Sequence, residues 1–361
     1  MAFNSLGDFF SITSYGESHG KEVGVVIDGC PAGLILDLPF IQSELKRRKP
    51  GQSELTTSRN EADDFEIVSG VFRGITTGAP ILVRIANAHA KSEDYAALED
   101  VFRPSHADQS YQLKYGHRDH RGGGRSSARV TAGWVAAGAI AKLVLKQMSK
   151  VSIKAYVKQV HHIEDHTPIE EIDWNLVEQH ATRSANAASD KNFSQLIRQM
   201  KDEGDSVGGV IRGVIFNPEQ GIGDPVFGKL QSKLGQALLS INAVKGISFG
   251  LGFGITQMKG SEANDQWSTH QDGIKPSNHS GGIQGGISTG EPIYFDIAFK
   301  PTASIAKVQN ALDDKGEIIK LEINGRHDPC VLPRAVPIVE SLAAIVYLNA
   351  FMANTSSSFS R

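Results

Sequence analysis

At 361 residues the chain is long enough to bury a sizeable core, as one large domain or two ordinary ones. Hydrophobic residues at 40% and charged residues at 21% exclude a disordered chain, and a net charge of −3 supplies no global field to recruit nucleic acid. Two cysteines, Cys30 and Cys330, exclude a disulfide framework or a Cys-rich zinc site and fit a reducing cytosol.

The first ten residues carry Asp8 and no Lys or Arg, so they match neither a signal nor a transit peptide. No run approaches the ~20 apolar residues of a membrane helix. The expectation is a cytoplasmic protein with neither membrane nor nucleic acid as partner. Gly16-Glu17-Ser18-His19-Gly20 formally matches the G-x-S-x-G nucleophile elbow, but a strand pattern follows where an elbow opens a helix. It reads instead as a ligand-facing turn, with His19 as an acid or binding group. Val23–Asp28 reads as a strand. Pro39–Arg48 reads as a helix, with Asp37 as its cap and Ile41 and Leu45 four apart. Glu66–Phe72 and Ile81–Ala86 are further strand patterns.

Arg103-Pro104-Ser105-His106-Ala107-Asp108 combines a guanidinium, an imidazole and a carboxylate in a Pro-fixed turn. A nearby anion there would keep His106 protonated and ready to donate. Arg121-Gly-Gly-Gly-Arg125-Ser126-Ser127-Ala-Arg129 is the most informative stretch. Its glycines let the backbone close around a ligand, its serines sit where a helix needs caps, and its arginines offer forked donors to oxyanions. It reads as an anion cradle at a helix N-terminus. The alternative is a solvated Gly loop, which would not need guanidinium groups at both ends.

Val130–Met148, rich in Ala and Gly, reads as an interior helix. Val151–Ile163 alternates with a period of two, implying a half-buried strand. His161-His162 with Asp165 and His166 could suggest a metal, but adjacent histidines on a strand point to opposite faces, so no metal site is assigned. Asn186–Gly204 reads as a polar surface helix or insertion. Val207–Phe216, Ile247–Thr256 and Ile293–Phe299 read as strands, and Pro225–Ile241 and Pro333–Met352 as helices, the former with Phe227 on its apolar stripe. Gly250-Leu-Gly-Phe-Gly254 lacks G-x-x-G, and no P-loop is present, so nucleotide readings fail. Asn278–Gly286, Lys300-Pro301-Thr302-Ala303-Ser304 and Arg326-His327-Asp328-Pro329 are further donor-rich turns. No linker or repeat divides the chain, so residues 1–353 are expected to form one domain and residues 354–361 a disordered tail.

Taken in order, these segments closely resemble chorismate synthases, with Arg121–Arg129 and Arg326–Cys330 the most specific. The resemblance implies an α/β (α+β) fold, a β-α-β sandwich in a single large domain, assembled as a homotetramer. It implies anti-1,4-elimination of phosphate from 5-enolpyruvylshikimate 3-phosphate to give chorismate, with reduced FMN as a recycled cofactor. Carried onto this chain, it makes His19 and His106 acids and Asp328 the proton-accepting carboxylate. Ser18, Arg48, Arg103 and Arg129 match substrate ligands. Arg125, Ser126, Ser127, Asn242, Ala243, Gly285, Lys300, Pro301, Thr302, Ala303, Ser304 and Arg326 match the flavin shell. No reductase segment is visible, so external reduction of the flavin is favoured, with NADPH as the candidate upstream reductant. Two positions depart from the family pattern. Glu54 stands where arginine is usual, so it would repel a phosphate unless its loop is displaced or Arg47, Lys49 or Arg59 substitutes; Ala303 replaces a common serine. A non-catalytic phosphoanion-binding module would not need His19, His106 and Asp328 together. A conventional flavin oxidoreductase would turn over NADPH and an acceptor.

Overall fold

A computed structural model describes residues 4–56, 63–87, 98–270, 273–322 and 328–357. Two antiparallel five-stranded sheets enclose a layer of helices. The first runs Ser5–Leu6, Ser11–Gly16, Glu22–Asp28, Ile81–Ala86, Phe65–Ile67 in spatial order. The second runs Ile163–Glu164, Ser152–Val160, Gly209–Phe216, Ile293–Phe299, Val244–Phe249. Alternation decides which face is covered. Val23, Val25 and Ile27 pair with Ile85, Val83 and Ile81, and all six are buried on the face toward the helices. In the second sheet Gly213 stands opposite Phe295, and a methyl there would lie 2.3 Å from the ring. The β-α-β sandwich expected from the resemblance is the observed architecture.

Thr131–Met148 is the interior helix that its small residues imply. A Cβ on Gly133 would come within 2.7 Å of the Gly24 carbonyl in the first sheet. One on Gly138 would meet the Ser341 Cβ at 2.2 Å, in the helix Leu332–Ser357. Glycine therefore sets the spacing of the layers on both sides. Leu332–Ser357 carries Pro337 within it. A proline there cannot bond the carbonyl four residues earlier, that of Pro333, and the Arg183 guanidinium takes it instead. Ala128–Met148 and Leu332–Thr355 have the length and hydropathy of a membrane span, contrary to the expectation that no such run exists; most residues of each apolar stretch are buried, as in a core helix.

A buried charge cluster ties this layer together. Arg47 reaches Glu44 at 2.8 Å, Glu178 at 2.5 Å and Glu340 at 2.7 Å, while Lys142 bonds Glu44 and Glu340 at 2.6 and 2.7 Å. The chain ends are tied as well. Asn349 Oδ1 accepts from the backbone N–H groups of Asp8, Phe9 and Phe10 at 2.9, 2.9 and 3.2 Å, and its Nδ2 donates to the Phe10 carbonyl at 2.6 Å.

Several expected boundaries move. Glu66–Phe72 breaks into Phe65–Ile67 and Val71–Phe72 around Gly70, whose φ of 79° turns the chain. The strand expected to reach Thr256 stops at Phe249, and a 3-10 helix covers Gly252–Gln257. Val226 has a φ of 59°, outside the α-helical region, so the chain makes only a 3-10 turn over Val226–Gly228, the α-helix expected from Pro225 starts at Leu230, and Phe227 is left 92% exposed. His161 and His162 occupy the turn between two strands, with ring centroids 4.9 Å apart, so they do not point to opposite faces. The C-terminal helix runs to Ser357, so residues 354–357 are helical rather than part of a disordered tail.

Candidate active site

One cavity of about 1150 Å³ gathers four separated segments. They are the end of the strand Ser11–Gly16, the loop and helix from Arg103 to Gly124, the Asn242–Ala243 turn, and the strand exit Lys300–Ser304. Asp328, Val331 and Arg334 complete the wall. Pairing of Val101–Phe102 with Leu312–Asp313, and three carbonyl bonds from Arg118 Nη2 to Leu98, Glu99 and Val101, fix the approach to Arg103.

Arg103 forks onto Asp108 at 2.7 and 2.8 Å and donates to the Gly122 carbonyl at 3.1 Å. Burial opposes ionisation of Asp108, but the Arg103 guanidinium outweighs it and holds the carboxyl below its ordinary range. His106 lies between two oxygens, with Nδ1 2.9 Å from the Pro104 carbonyl and Nε2 3.0 Å from Ser304 Oγ. A carbonyl only accepts, so Nδ1 carries the proton and Nε2 accepts from Ser304. Burial, with Arg103 and Lys300 nearby, pushes the His106 pKa down. Asp108, paired with Arg103, offsets this only in part, so the ligand-free imidazole favours its neutral form. Lys300 Nζ donates to the Ser105 carbonyl at 3.3 Å, and burial beside Lys245 lowers its pKa.

The glycine-rich stretch is built differently from a cradle of converging arginines. Arg121 forks onto Asp119 at 2.8 and 2.8 Å. Arg125 donates to the carbonyls of Gly16 and Ser14 at 2.8 and 3.0 Å. Arg129 binds Asp63, the Asn87 side chain and the Ala86 carbonyl. The guanidinium groups brace the loop, leaving the Gly122–Ser126 segment on the cavity wall. Ser127 Oγ accepts from the Arg129 N–H at 3.2 Å, capping a 3-10 turn that leads into the long helix. Gly122 has a φ of 73°, and a Cβ there would lie 2.3 Å from His19 Nδ1, so glycine makes room for that imidazole. Ser18 Oγ is 3.1 Å from the same nitrogen.

Among the sequence-selected residues, Arg103, Arg125, Ser126, Asn242, Ala243, His106, Lys300–Ser304 and Asp328 line the cavity. Ser18 and His19 lie behind Gly122. Arg48 and Arg129 form an ion-paired layer behind Ala128, and Gly285 sits in the turn between two short strands, away from the lining. Arg326 and Arg59 lie outside the described residues. Glu54 does not repel an anion in the pocket: it faces solvent, 2.5 Å from Arg198 on the helix Ala187–Asp202. Arg47, one of the cations that could have substituted, is committed to the buried cluster. Sequence reasoning missed Asp63, which no local motif marks, and Arg334 as the partner of Asp328.

The Asn242 amide bears on what the cavity holds. Its Nδ2 donates to the Ser126 carbonyl at 2.6 Å, which fixes the amide, and its buried Oδ1 has no hydrogen-bond partner among the described residues. A buried acceptor left without a donor is costly, so this position suits a ligand N–H.

A sequence profile described as "Chorismate synthase" matches residues 10–352. The chorismate synthase of Azobacteroides pseudotrichonymphae genomovar. CFP2 is 52% identical over 97% of this chain and 99% of its own. That of Flavobacterium psychrophilum is 51% identical, covering 98% of each chain. A solved structure titled "Crystal Structure of Chorismate Synthase" superposes with a TM-score of 0.77 at 28% identity, covering 98% of this chain and 94% of that one.

Proposed function

The chain belongs to the chorismate synthase family, a family of lyases, and on that premise we propose that it eliminates phosphate from 5-enolpyruvylshikimate 3-phosphate in the anti-1,4 sense, giving chorismate, with reduced FMN as a recycled cofactor. The observation that carries this reading is a single cavity walled by the His106–Ser304 pair, the Asp328–Arg334 pair and an Asn242 Oδ1 that has no partner among the described residues. At about 1150 Å³ it exceeds the ~300–1,000 Å³ of ordinary ligand pockets, which suits two ligands together.

The residues present fit a flavin. Asn242 Oδ1 is an acceptor for a ring N–H, the Ala243 backbone is held in the left-handed region at φ 69°, and Lys300 supplies a cation for a phosphate tail. Reduced FMN, when bound, lends electron density as the C–O bond weakens and recovers it when the proton leaves. Arg103 and His106 face the leaving phosphate. Its negative charge raises the proton affinity of Nε2, and the resulting imidazolium donates a proton to the departing oxygen. Asp328, held by Arg334, takes the proton that the substrate ring loses. The C–O bond breaks to release phosphate carrying the proton from His106, the ring proton passes to Asp328, and the electrons of the broken C–H bond form the new double bond, with no net redox change.

The cytoplasmic location, the external NADPH-dependent reduction and the homotetramer belong to the same reading. Phe227, Phe253 and Trp267, at 92%, 84% and 73% exposure, give the surface large apolar groups suited to an assembly. The test is an anaerobic assay with dithionite-reduced FMN, following chorismate in the ultraviolet. Turnover is expected with reduced FMN alone; equal turnover with oxidised FMN overturns the assignment.

A further inference from the structure

The turn that carries Arg103 and His106 is held by one carboxylate. The His106 N–H donates to the Arg103 carbonyl at 3.3 Å, and Ser105 takes a φ of 57°, as at the third position of a type II turn with proline second. Asp108 opens the helix Asp108–Tyr115 just beyond. Its Oδ2 accepts from the backbone N–H and the Nε of Arg103, at 3.1 and 2.7 Å, and its Oδ1 accepts from Nη2 at 2.8 Å. Nη2 also donates to the Gly122 carbonyl, so Nε and Nη2 are both engaged. Nη1 has no partner among the described residues and is not one of the sealed polar atoms, on a residue that lines the cavity. It is the donor left for an anion there. After burial, the charges acting on His106 are Arg103 and Lys300, which lower its pKa, and Asp108, which raises it.

We propose that Asp108 is a positioning residue: by engaging Nε and Nη2 it presents the Nη1 edge of Arg103 to an anion in the cavity, on the same turn as His106. This rests on the substrate reading above, in which that anion is the leaving phosphate. Without the carboxylate, a long side chain regains its rotamers and its charge stands uncompensated beside the imidazole. Asp108 therefore does two things. It fixes the direction in which Arg103 donates, and it screens Arg103 from His106, so that the imidazole accepts a proton once phosphate arrives. By charge alone, a carboxylate at the wall of an anion pocket would weaken phosphate binding. The two accounts of Asp108 thus differ in sign.

The experiment uses full-length protein with Asp108→Asn and Asp108→Glu. Binding of 5-enolpyruvylshikimate 3-phosphate with oxidised FMN present, binding of inorganic phosphate, binding of FMN alone, thermal melting and the pH profile of kcat/KM with reduced FMN are measured for each. Asn removes the charge and sets an amide N–H against the guanidinium. Glu keeps the charge and displaces it by one methylene. In both, kcat/KM should fall by about 10²-fold, the loss that an ångström of misplacement produces, and substrate and phosphate should bind more weakly while FMN affinity holds. The profiles then divide. A step that needs imidazolium is lost as pH rises, so in Asn, where Arg103 is uncompensated, the basic limb moves to lower pH, and in Glu it stays. Should Asn fail to fold, Glu carries the test. Tighter substrate or phosphate binding in Asn, as loss of a repelling charge would give, or wild-type kcat/KM in Glu, overturns the positioning role. An unmoved limb in Asn overturns the screening of His106. A wild-type protein that binds FMN but not the substrate overturns the substrate reading instead, and the phosphate titrations still decide what Asp108 does for Arg103.

Discussion

His106 shows how a residue's resting state and its working state separate. With Nδ1–H spent on the Pro104 carbonyl and its pKa pushed down by burial, the free imidazole is protonated only on the acid side of its ordinary range near ~6.5. A bound phosphate beside it works in the opposite direction. A step that needs imidazolium falls as pH rises, so the basic limb assigned to His106 should lie at lower pH in kcat/KM, which reports the free enzyme, than in kcat. Coincident limbs in the two profiles would remove this role. His106→Ala should cut kcat by about 10²- to 10⁴-fold and leave FMN binding nearly intact, as titration of the oxidised flavin would register. Glu54 gives the contrasting case. Its exposed pairing with Arg198 is the kind that contributes about 0–1 kcal/mol, so Glu54→Arg should leave KM unchanged and shift unfolding free energy within that range. A fall in KM would mean that the loop visits the pocket.

At the scale of elements, the buried charge cluster does what apolar packing alone does not: it joins three helices and a strand at one point. Glu340 bonds Arg47, Lys142 and the Ala155 N–H. Burial works against its charge, but Arg47 and Lys142 outweigh it and drive its pKa far below the carboxylate range. The folded pKa is depressed, so its stabilisation is full above the unfolded value of ~4.3 and is lost progressively as pH falls below it. Glu340→Gln should cost about 3–5 kcal/mol at pH 7, and the gap from wild type in urea unfolding should narrow by pH 3. A gap that widens in acid would contradict the assigned sign. The same scale shows what sequence can and cannot reveal. Ile81–Ala86 and Ile293–Phe299 stand where alternation and turn signals placed them, because both are read from adjacent residues. The helix Leu230–Leu238 starts late because one left-handed residue, Val226, interrupts a stripe that periodicity joins. In the cavity, Arg103, His106 and Lys300–Ser304 were legible as donor-rich turns. The direction of the Glu54 loop and the sharing of Asp63 were not, since each depends on a partner more than sixty residues away.

For the molecule as a whole, a ligand that binds only the folded state raises its stability by mass action. FMN at a hundred times its dissociation constant should add about 2.7 kcal/mol, visible as a rise in melting temperature that free riboflavin, lacking the phosphate, reproduces less well. An equal shift with riboflavin would argue against the cationic Lys300 end of the cavity as the phosphate seat. The clamp between Asn349 and the backbone at Asp8–Phe10 has a consequence for how the protein is made. Arg125 braces the glycine loop by gripping the carbonyls of Ser14 and Gly16, a few residues beyond that clamp. The Asp8–Phe10 segment between the first two strands therefore waits for Leu332–Ser357, the last described helix, to emerge before it gains this anchor. Contacts closing across more than three hundred residues are slow to form, and a chain still being translated holds its early apolar strands unfinished for most of its synthesis. The cavity wall at Ser14–Gly16 gains this support only after Asn349 has left the ribosome, and until then the nascent polypeptide depends on whatever shields those strands.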